Sequence, residues 1–133
     1  MKEVFDFILN CKTYFLATVD GDKPRVRPFN TVNIFEDKLY FLTGKGKAIS
    51  KQLSNNPNVE ISAFDGECWI RIEAVAVNDD RIGPKHSMLE ARPQLKDRYK
   101  EDDDNIQVLY LKDATATIWS HVDRTAAPKV YKF

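Results

Sequence analysis

Several residue types are scarce in this sequence of 133 residues, and each scarcity excludes a class of protein. The two cysteines, Cys11 and Cys68, are far apart and form no C-x-x-C pair, so we interpret both as reduced, buried side chains rather than as a disulfide or metal site. The two histidines, His86 and His121, have no second ligand at zinc-binding spacing, and no metal site is expected. The chain therefore offers few groups for acid–base or nucleophilic chemistry, and an enzyme built from it would depend on a cofactor.

An excess of one charge sign is also missing. Twenty Lys and Arg residues balance twenty Asp and Glu residues, whereas a dedicated nucleic-acid-binding protein usually has a basic excess. No apolar run approaches the roughly 20 residues of a membrane span, and the charged N-terminal segment does not fit a secretory signal, so we expect a cytoplasmic protein without membrane contact. The length and a hydrophobic content of 43% predict one globular domain over residues 1–133.

The predicted secondary structure consists of short helices around a set of strands. Amphipathic spacing predicts helices over residues 2–11, after residue 47, and over residues 82–99 with an interruption at Pro93. Alternating or β-branched segments bounded by turn residues predict strands over residues 13–19, 25–35, 38–43, 58–64, 67–77, 106–120 and 129–133. Hairpin-length turns between them favour a mainly β (α+β) fold of antiparallel strands in a closed or partly closed barrel.

One segment combines a strand, a glycine-containing turn and a helix. The strand ends at Thr43, the turn is Gly44-Lys45-Gly46-Lys47, and the helix follows. The first turn of a helix has unpaired N–H groups and a partial positive charge, both of which favour a phosphate. The spacing fits neither a Walker A loop nor a dinucleotide fingerprint. An anion site and an ordinary solvated turn with lysines both remain open at this point.

A second candidate segment is the arginine-rich strand that precedes this loop. Arg25 and Arg27 lie on one face, so their guanidinium groups can converge on an anion or on carbonyl oxygens. Pro28 lacks an N–H group, which suits a strand with one unpaired edge. The polar residues on both faces fit either a ligand site or a solvated edge strand. Trp69 and Trp119 lie in predicted strands with polar neighbours, where core packing and ligand contact are both open.

The two segments occur in a characteristic order, first Arg25-Val26-Arg27-Pro28-Phe29-Asn30 and then Leu42-Thr43 with the lysine-containing turn. In this order they resemble the motifs of the pyridoxamine 5′-phosphate oxidase-like, FMN-binding split-barrel superfamily. Within it, the chain is most similar to small nitroimidazole reductase-like (Nim-type) flavoproteins, from the first helix to the strand that ends near Trp119. The resemblance implies an antiparallel six-stranded split β-barrel with Greek-key character and three to four short flanking helices.

The resemblance also implies a cofactor site. FMN would lie with its ring along residues 25–30 and its phosphate at the start of the helix after residue 47, with NADH or NADPH as the electron donor. Trp69 takes the position of a ring-contacting glutamine of the oxidases, and Trp119 is the expected contact from the second subunit of a homodimer. The residues assigned to the cofactor in this way are Arg25, Val26, Arg27, Pro28, Phe29, Asn30, Leu42, Thr43, Lys47, Lys51, Trp69 and Trp119.

The chain differs from true pyridoxamine phosphate oxidases at the positions that hold their substrate. Asn30 stands where they have a lysine, and residues 130–132 replace a longer C-terminal part with an arginine and a histidine. The resemblance therefore implies an FMN-dependent oxidoreductase that reduces nitro-aromatic or similar small molecules, not a vitamin oxidase. The alternative is a non-catalytic or stress-related protein that binds flavin, deazaflavin or haem on the same barrel. His86 and His121 would be the only ligands for haem.

Overall fold

The computed structural model describes residues 1–100 and 103–133. It contains three α-helices, one short 3₁₀ helix and eight β-strands. In chain order they are α1 (Lys2–Cys11), β1 (Tyr14–Asp20), β2 (Lys23–Phe29), β3 (Asn33–Phe35), β4 (Lys38–Gly44), α2 (Ala48–Asn55), β5 (Asn58–Phe64), β6 (Cys68–Asn78), α3 (Ile82–Ala91), the 3₁₀ helix (Pro93–Asp97), β7 (Ile106–Ser120) and β8 (Lys129–Lys132). None of the helices in the described ranges is long and apolar enough to cross a membrane.

All strand pairs of the sheet are antiparallel, which confirms the predicted mainly β fold of the split-barrel type. The strand order is β2-β1-β5-β6-β7-β4-β3, and β8 pairs with β7. The long strand β7 changes partner along its length, because β4 pairs with its first residues and β8 with residues 115–118. Between these two parts, Asp113 has a positive φ of 52°, and the β6–β7 register shifts opposite it, between Glu73 and Val75.

The predicted strand over residues 25–35 is in fact two strands at opposite edges of the sheet. The sheet therefore has eight strands, where the segments predicted seven and the resemblance implied six. β2 pairs with β1, whereas β3 pairs with β4. The linker between them is held by Thr31: its hydroxyl accepts from Leu42 N–H at 3.0 Å, and its carbonyl accepts from the hydroxyl of Tyr14 at 2.6 Å. These bonds to β4 and β1 interrupt the strand at Thr31, and the linker leads from β2 at one edge of the sheet to β3 at the other.

Apolar side chains pack on both sides of β4. On one side, β-strand residues such as Leu16, Phe41 and Ile72 form the main core together with α1 and α2. On the other side, Tyr40 and Met88 belong to a smaller cluster that holds α3 against β4 and β7. The period-2 pattern predicted for β6 is confirmed, since the inward-facing residues of this strand are buried. These buried residues are Ile70, Ile72, Ala74 and Ala76.

A hydrogen-bonded chain of side chains fixes the segment between β6 and α3. The hydroxyl of Tyr40 donates to Asp79 Oδ2 at 2.7 Å, and the guanidinium of Arg81 donates to both carboxylate oxygens of Asp79 and to Glu36. Asp79 is only 8% exposed. The guanidinium of Arg81, helped by the Tyr40 hydroxyl, lowers the pKa of Asp79 to about 2. The chain therefore ties the β3–β4 turn, the β4 strand and the start of α3 together.

Candidate functional site

A cleft of about 170 Å³ lies where the β2–β3 linker, the end of β4 and the segment after α3 meet. Half of the predicted cofactor residues line this one cleft. They are Pro28, Phe29, Asn30, Leu42, Thr43 and Lys47. The arrangement follows from the sheet topology, because the linker passes over β4 on its way from one sheet edge to the other. The two motifs that were separate in the sequence are therefore brought together at one site.

The opposite wall of the cleft was not predicted from the sequence. It is formed by the 3₁₀ helix and its flanking residues, which contribute Arg92, Gln94, Leu95, Arg98 and Tyr99. The only signal for it was Pro93, which predicted a break in the helix but no ligand contact. Two guanidinium groups thereby face the same cleft as Lys47, and no acidic residue in the described ranges lines it.

Thr43 has the side chain whose surroundings most clearly indicate a ligand. It is 2% exposed, lines the cleft, and its hydroxyl has no hydrogen-bond partner among the described residues. A buried hydroxyl without a partner costs about 1–3 kcal/mol, so such groups usually pair with a bound molecule or water. The hydroxyl of Thr43 is thus available to donate a hydrogen bond to an acceptor in the cleft.

The start of α2 offers further donors, although fewer than the sequence suggested. Within the turn, Lys45 N–H donates to Asn105 O at 2.7 Å, Gly46 N–H donates to Asn105 Oδ1 at 3.3 Å, and Lys47 N–H donates to Gly44 O at 3.1 Å. The next two N–H groups are the first of the helix and have no acceptor in the described part of the chain, and no side chain caps the helix. These are the N–H groups of Ala48 and Ile49.

Charge in the cleft favours an anion. Lys47 is exposed at the N-terminal end of α2, where the helix dipole adds partial positive charge. Neither Lys47 nor Arg92 nor Arg98 forms an ion pair within the described ranges. Three cationic side chains and one free hydroxyl therefore line the cleft, and the two unpaired helix N–H groups follow Lys47 directly in the chain. Groups of these kinds favour a phosphate.

The two arginines of β2 were predicted in the site, and the structure places both outside the cleft. Arg27 donates to Leu16 O at 3.2 Å, to the Thr18 hydroxyl at 2.8 Å and to Gln52 Oε1 at 2.8 Å. Its guanidinium is therefore used to join β2 and β1 to α2, and burial lowers its pKa. Arg25 forms an exposed ion pair with Asp20 at 3.0 Å. Val26 lies between them and is 67% exposed on the other face of β2.

The three remaining predicted residues also lie away from the cleft of this chain. Lys51 lines a separate hollow between α2 and the β1–β2 turn. Trp69 and Trp119 stack on each other, with ring centroids 4.3 Å apart, and Arg71 lies over both rings. Trp119 is twelve residues beyond the β7 partner of Thr43, up to roughly 40 Å along an extended strand. The two tryptophans therefore do not line the cleft within this chain.

The two histidines named as haem ligands do not line the cleft. His86 lies on α3, and His121 follows β7, where its ring packs edge-on against Phe64 at 5.5 Å. Thus the fold and the site define a class of protein: an open antiparallel sheet with a cationic cleft beside the linker that joins its two edge strands.

Comparison with known families agrees with this class. The family model described as pyridoxamine 5′-phosphate oxidase matches residues 1–119, so the chain belongs to this family. A crystal structure of a NimC/NimA family protein from Clostridium acetobutylicum is similar over the whole chain and 92% of its own length, with 39% identity and a TM-score of 0.94. The chain is accordingly a NimC/NimA-like member of the family, as the sequence motifs predicted. No curated protein sequence matches the chain significantly.

Two more distant structures share the fold. General stress protein 26 from Bacillus anthracis is 23% identical, with a TM-score of 0.74 and coverage of 99% of this chain and 98% of that protein. A pyridoxamine 5′-phosphate oxidase-related, FMN binding protein from Nostoc punctiforme is 15% identical, with a TM-score of 0.58 and coverage of 96% and 90%. At these identities the likeness concerns the fold alone.

Proposed function

We propose that this protein is an FMN-dependent oxidoreductase whose cofactor is held in the cleft formed by the β2–β3 linker, the end of β4 and the segment after α3. The observation that carries the proposal is the unpartnered hydroxyl of Thr43, buried beside the N-terminus of α2 and lining the same cleft as Lys47. Membership of the pyridoxamine 5′-phosphate oxidase family supports it, as does the Nostoc protein of the same fold that is described as FMN binding. In this proposal residues 1–133 form a single flavin-binding domain in the cytoplasm.

The residues of the cleft divide into those for the phosphate and those for the ring. Thr43 and Lys47 line the cleft and would supply donors for the phosphate, and the first two N–H groups of α2, directly after Lys47, would add to them. Pro28, Phe29, Asn30 and Leu42 also line the cleft and would hold the ring. Of the remaining predicted residues, Arg27 would support α2 from behind, and Lys51 would add general positive charge. FMN, when bound, supplies reversible hydride or electron transfer, which the side chains of this cleft do not provide.

The substrate in this proposal is a nitro-aromatic or similar small molecule, and NADH or NADPH is the electron donor. Similarity to the NimC/NimA family protein over the whole chain supports a Nim-type reductase. Asn30 lines the cleft at the position where true pyridoxamine phosphate oxidases have a lysine, so a phosphorylated vitamin substrate lacks that cation here.

We further propose that the protein acts as a homodimer with the flavin at the subunit boundary. The cleft of one chain, about 170 Å³, is smaller than the 300–1,000 Å³ typical of sites for ligands of this size. The outer sheet face carries apolar side chains that one chain leaves uncovered: Phe15 is 49%, Val26 67% and Phe64 54% exposed. Trp69 and Trp119 lie on the same face, since their strands pair in register with Phe64. A second copy would cover this face and bring the tryptophans to the cleft.

The absorbance spectrum of the purified protein is the first test. Flavin bands near 370 and 450 nm are expected after addition of FMN and removal of the excess, whereas a Soret band would indicate haem instead. A turnover assay with NADH or NADPH and a nitroimidazole then separates a reductase from a flavin carrier. A protein that takes up neither cofactor would refute the proposal.

Two lysines of the same helix region provide a matched test of the phosphate site. Lys47→Gln should weaken FMN binding about tenfold, because it removes a charge-assisted contact to the phosphate. Lys51→Gln, one turn later and in a different hollow, should change the FMN affinity less than twofold, as screened surface charges do. Riboflavin, which has no phosphate, should bind both variants like the wild type. An equal loss of FMN affinity in the two variants would show that Lys47 does not contact the phosphate.

A further inference from the structure

We propose that Asn105 is a positioning residue for the anion-binding turn, and that it adjusts the affinity for the phosphate group of a ligand without touching the ligand. This inference rests on the proposed function, since the ligand in question is FMN. Asn105 immediately precedes β7 and does not line the cleft. It was not singled out from the sequence, in which it follows a run of acidic residues.

Asn105 contacts the turn through both its main chain and its side chain. Its carbonyl oxygen accepts from Lys45 N–H at 2.7 Å, and its Oδ1 accepts from Gly46 N–H at 3.3 Å. Its amide group also packs on Gly44, where an added Cβ would lie 3.4 Å from Nδ2. Asn105 is itself held, because its N–H donates to Asp103 Oδ1 at 2.8 Å. The whole turn from Gly44 to Gly46 thus rests on one residue 59 positions further along the chain.

These bonds determine which donors remain for an anion. In a flexible glycine turn, the N–H groups of Lys45 and Gly46 would compete with those of the helix for a phosphate. With Asn105 in place, both are already used, and the free donors are those of Ala48 and Ile49 at the start of α2, close to Lys47. The turn is therefore ordered before a ligand arrives, which lowers the entropic cost of binding.

Asn105 also links the two walls of the cleft. The hydroxyl of Tyr99, a residue of the opposite wall, lies 3.7 Å from the position of a Cβ on Gly44, next to the Asn105 amide. Tyr99 and Asn105 therefore pack on the same glycine. A loosened turn should move the phosphate donors relative to the wall that contains Arg92 and Arg98. Pro28 and Phe29, on the ring side of the cleft, form no hydrogen bond with Asn105 in the described residues.

The test compares FMN with riboflavin in variants of Asn105. Asn105→Ala should weaken FMN binding about fivefold, as expected for the loss of one hydrogen bond, and leave riboflavin binding unchanged. Asn105→Asp keeps an oxygen for Gly46 N–H but adds a negative charge near the phosphate, so it should weaken FMN binding more than the alanine variant. Asn56→Ala is the matched control, because Asn56 Oδ1 makes a similar bond to Asn58 N–H after the other end of α2. Asn56→Ala should leave the ratio of the FMN affinity to the riboflavin affinity at its wild-type value.

A second measurement needs no flavin and separates this inference from the proposed function. In Asn105→Ala, NMR should show faster solvent exchange of the Gly46 amide but not of the Lys45 amide, whose acceptor is the retained main-chain carbonyl. Titration with inorganic phosphate should shift the Ala48 and Ile49 amides in the wild type at lower phosphate concentrations than in the variant. If the wild type binds phosphate but no flavin, the proposed function fails and the role of Asn105 stands. The inference would be overturned if solvent exchange of the Gly46 amide were unchanged in Asn105→Ala. It would also be overturned if this variant lost FMN affinity and riboflavin affinity to the same extent.

Discussion

The buried carboxylate of Asp79 should make the stability of this protein fall in acid, and Asp79→Asn should remove the part of that dependence that Asp79 contributes. The Arg81 guanidinium and the Tyr40 hydroxyl lower the pKa of Asp79 from 3.8 to about 2 in the folded state. A carboxyl whose pKa is lowered by folding stabilises the folded state above its unfolded pKa, and this contribution is lost as the pH falls through the folded pKa. A shift of this size corresponds to about 2 kcal/mol at neutral pH.

Urea denaturation at pH 7, 4, 3 and 2 measures this contribution. The wild type should be about 2 kcal/mol more stable than Asp79→Asn at pH 7, and the difference should close between about pH 4 and pH 2. Asp80→Asn is the control, because the neighbouring carboxylate is 69% exposed and lies 3.9 Å from Lys45, and it should behave like the wild type within about 0.5 kcal/mol. A wild-type and an Asp79→Asn profile that run parallel from pH 7 to pH 2 would refute the reasoning.

Three further predictions concern the site and the outer sheet face. Thr43→Val should stabilise the flavin-free protein by about 1 kcal/mol in urea denaturation, because a methyl group replaces a buried unpaired hydroxyl, and it should weaken FMN binding; a destabilised variant would mean that the hydroxyl has a partner. Arg27→Lys should cost about 1–2 kcal/mol, since one ammonium cannot replace bonds to three oxygens, whereas Arg25→Lys in its exposed ion pair should cost less than about 0.5 kcal/mol. Trp119→Ala, which breaks the stack with Trp69, should shift the sedimentation of the protein from dimer towards monomer; an unchanged dimer would place the interface elsewhere.

The local parts of the fold could be predicted because their signals are local. Two hairpin turns are examples, Glu36-Asp37 between β3 and β4 and Asp65-Gly66 between β5 and β6. Their residues indicate where the flanking strands end, and Gly66 has a positive φ, which glycine permits. The strand–turn–helix around Thr43 was predicted from the same kind of pattern and forms with an N-terminus at Ala48. Each of these features depends on residues close together in the sequence.

The parts that could not be predicted depend on contacts between distant segments. The break between β2 and β3 occurs in a stretch rich in β-branched residues, and it is caused by bonds of Thr31 to β4 and to Tyr14. Arg27 donates a hydrogen bond to Gln52 of α2, 25 residues further along the chain. The position of Arg27 on a strand face gave no indication of this partner. Arg98 had the sequence context of an ordinary surface residue, and only the packing of the 3₁₀ helix places it at the cleft.

The linker at residues 30–32 has a consequence for how the molecule would respond to its ligand. It joins β2 and β3, the two outermost strands of an otherwise continuous ladder, and it forms part of the cleft. A molecule bound there would contact the end of β2, the linker and the end of β4 at once. Loss of that molecule should therefore lower the protection of the end of β2 and of the linker against proteolysis or deuterium uptake together.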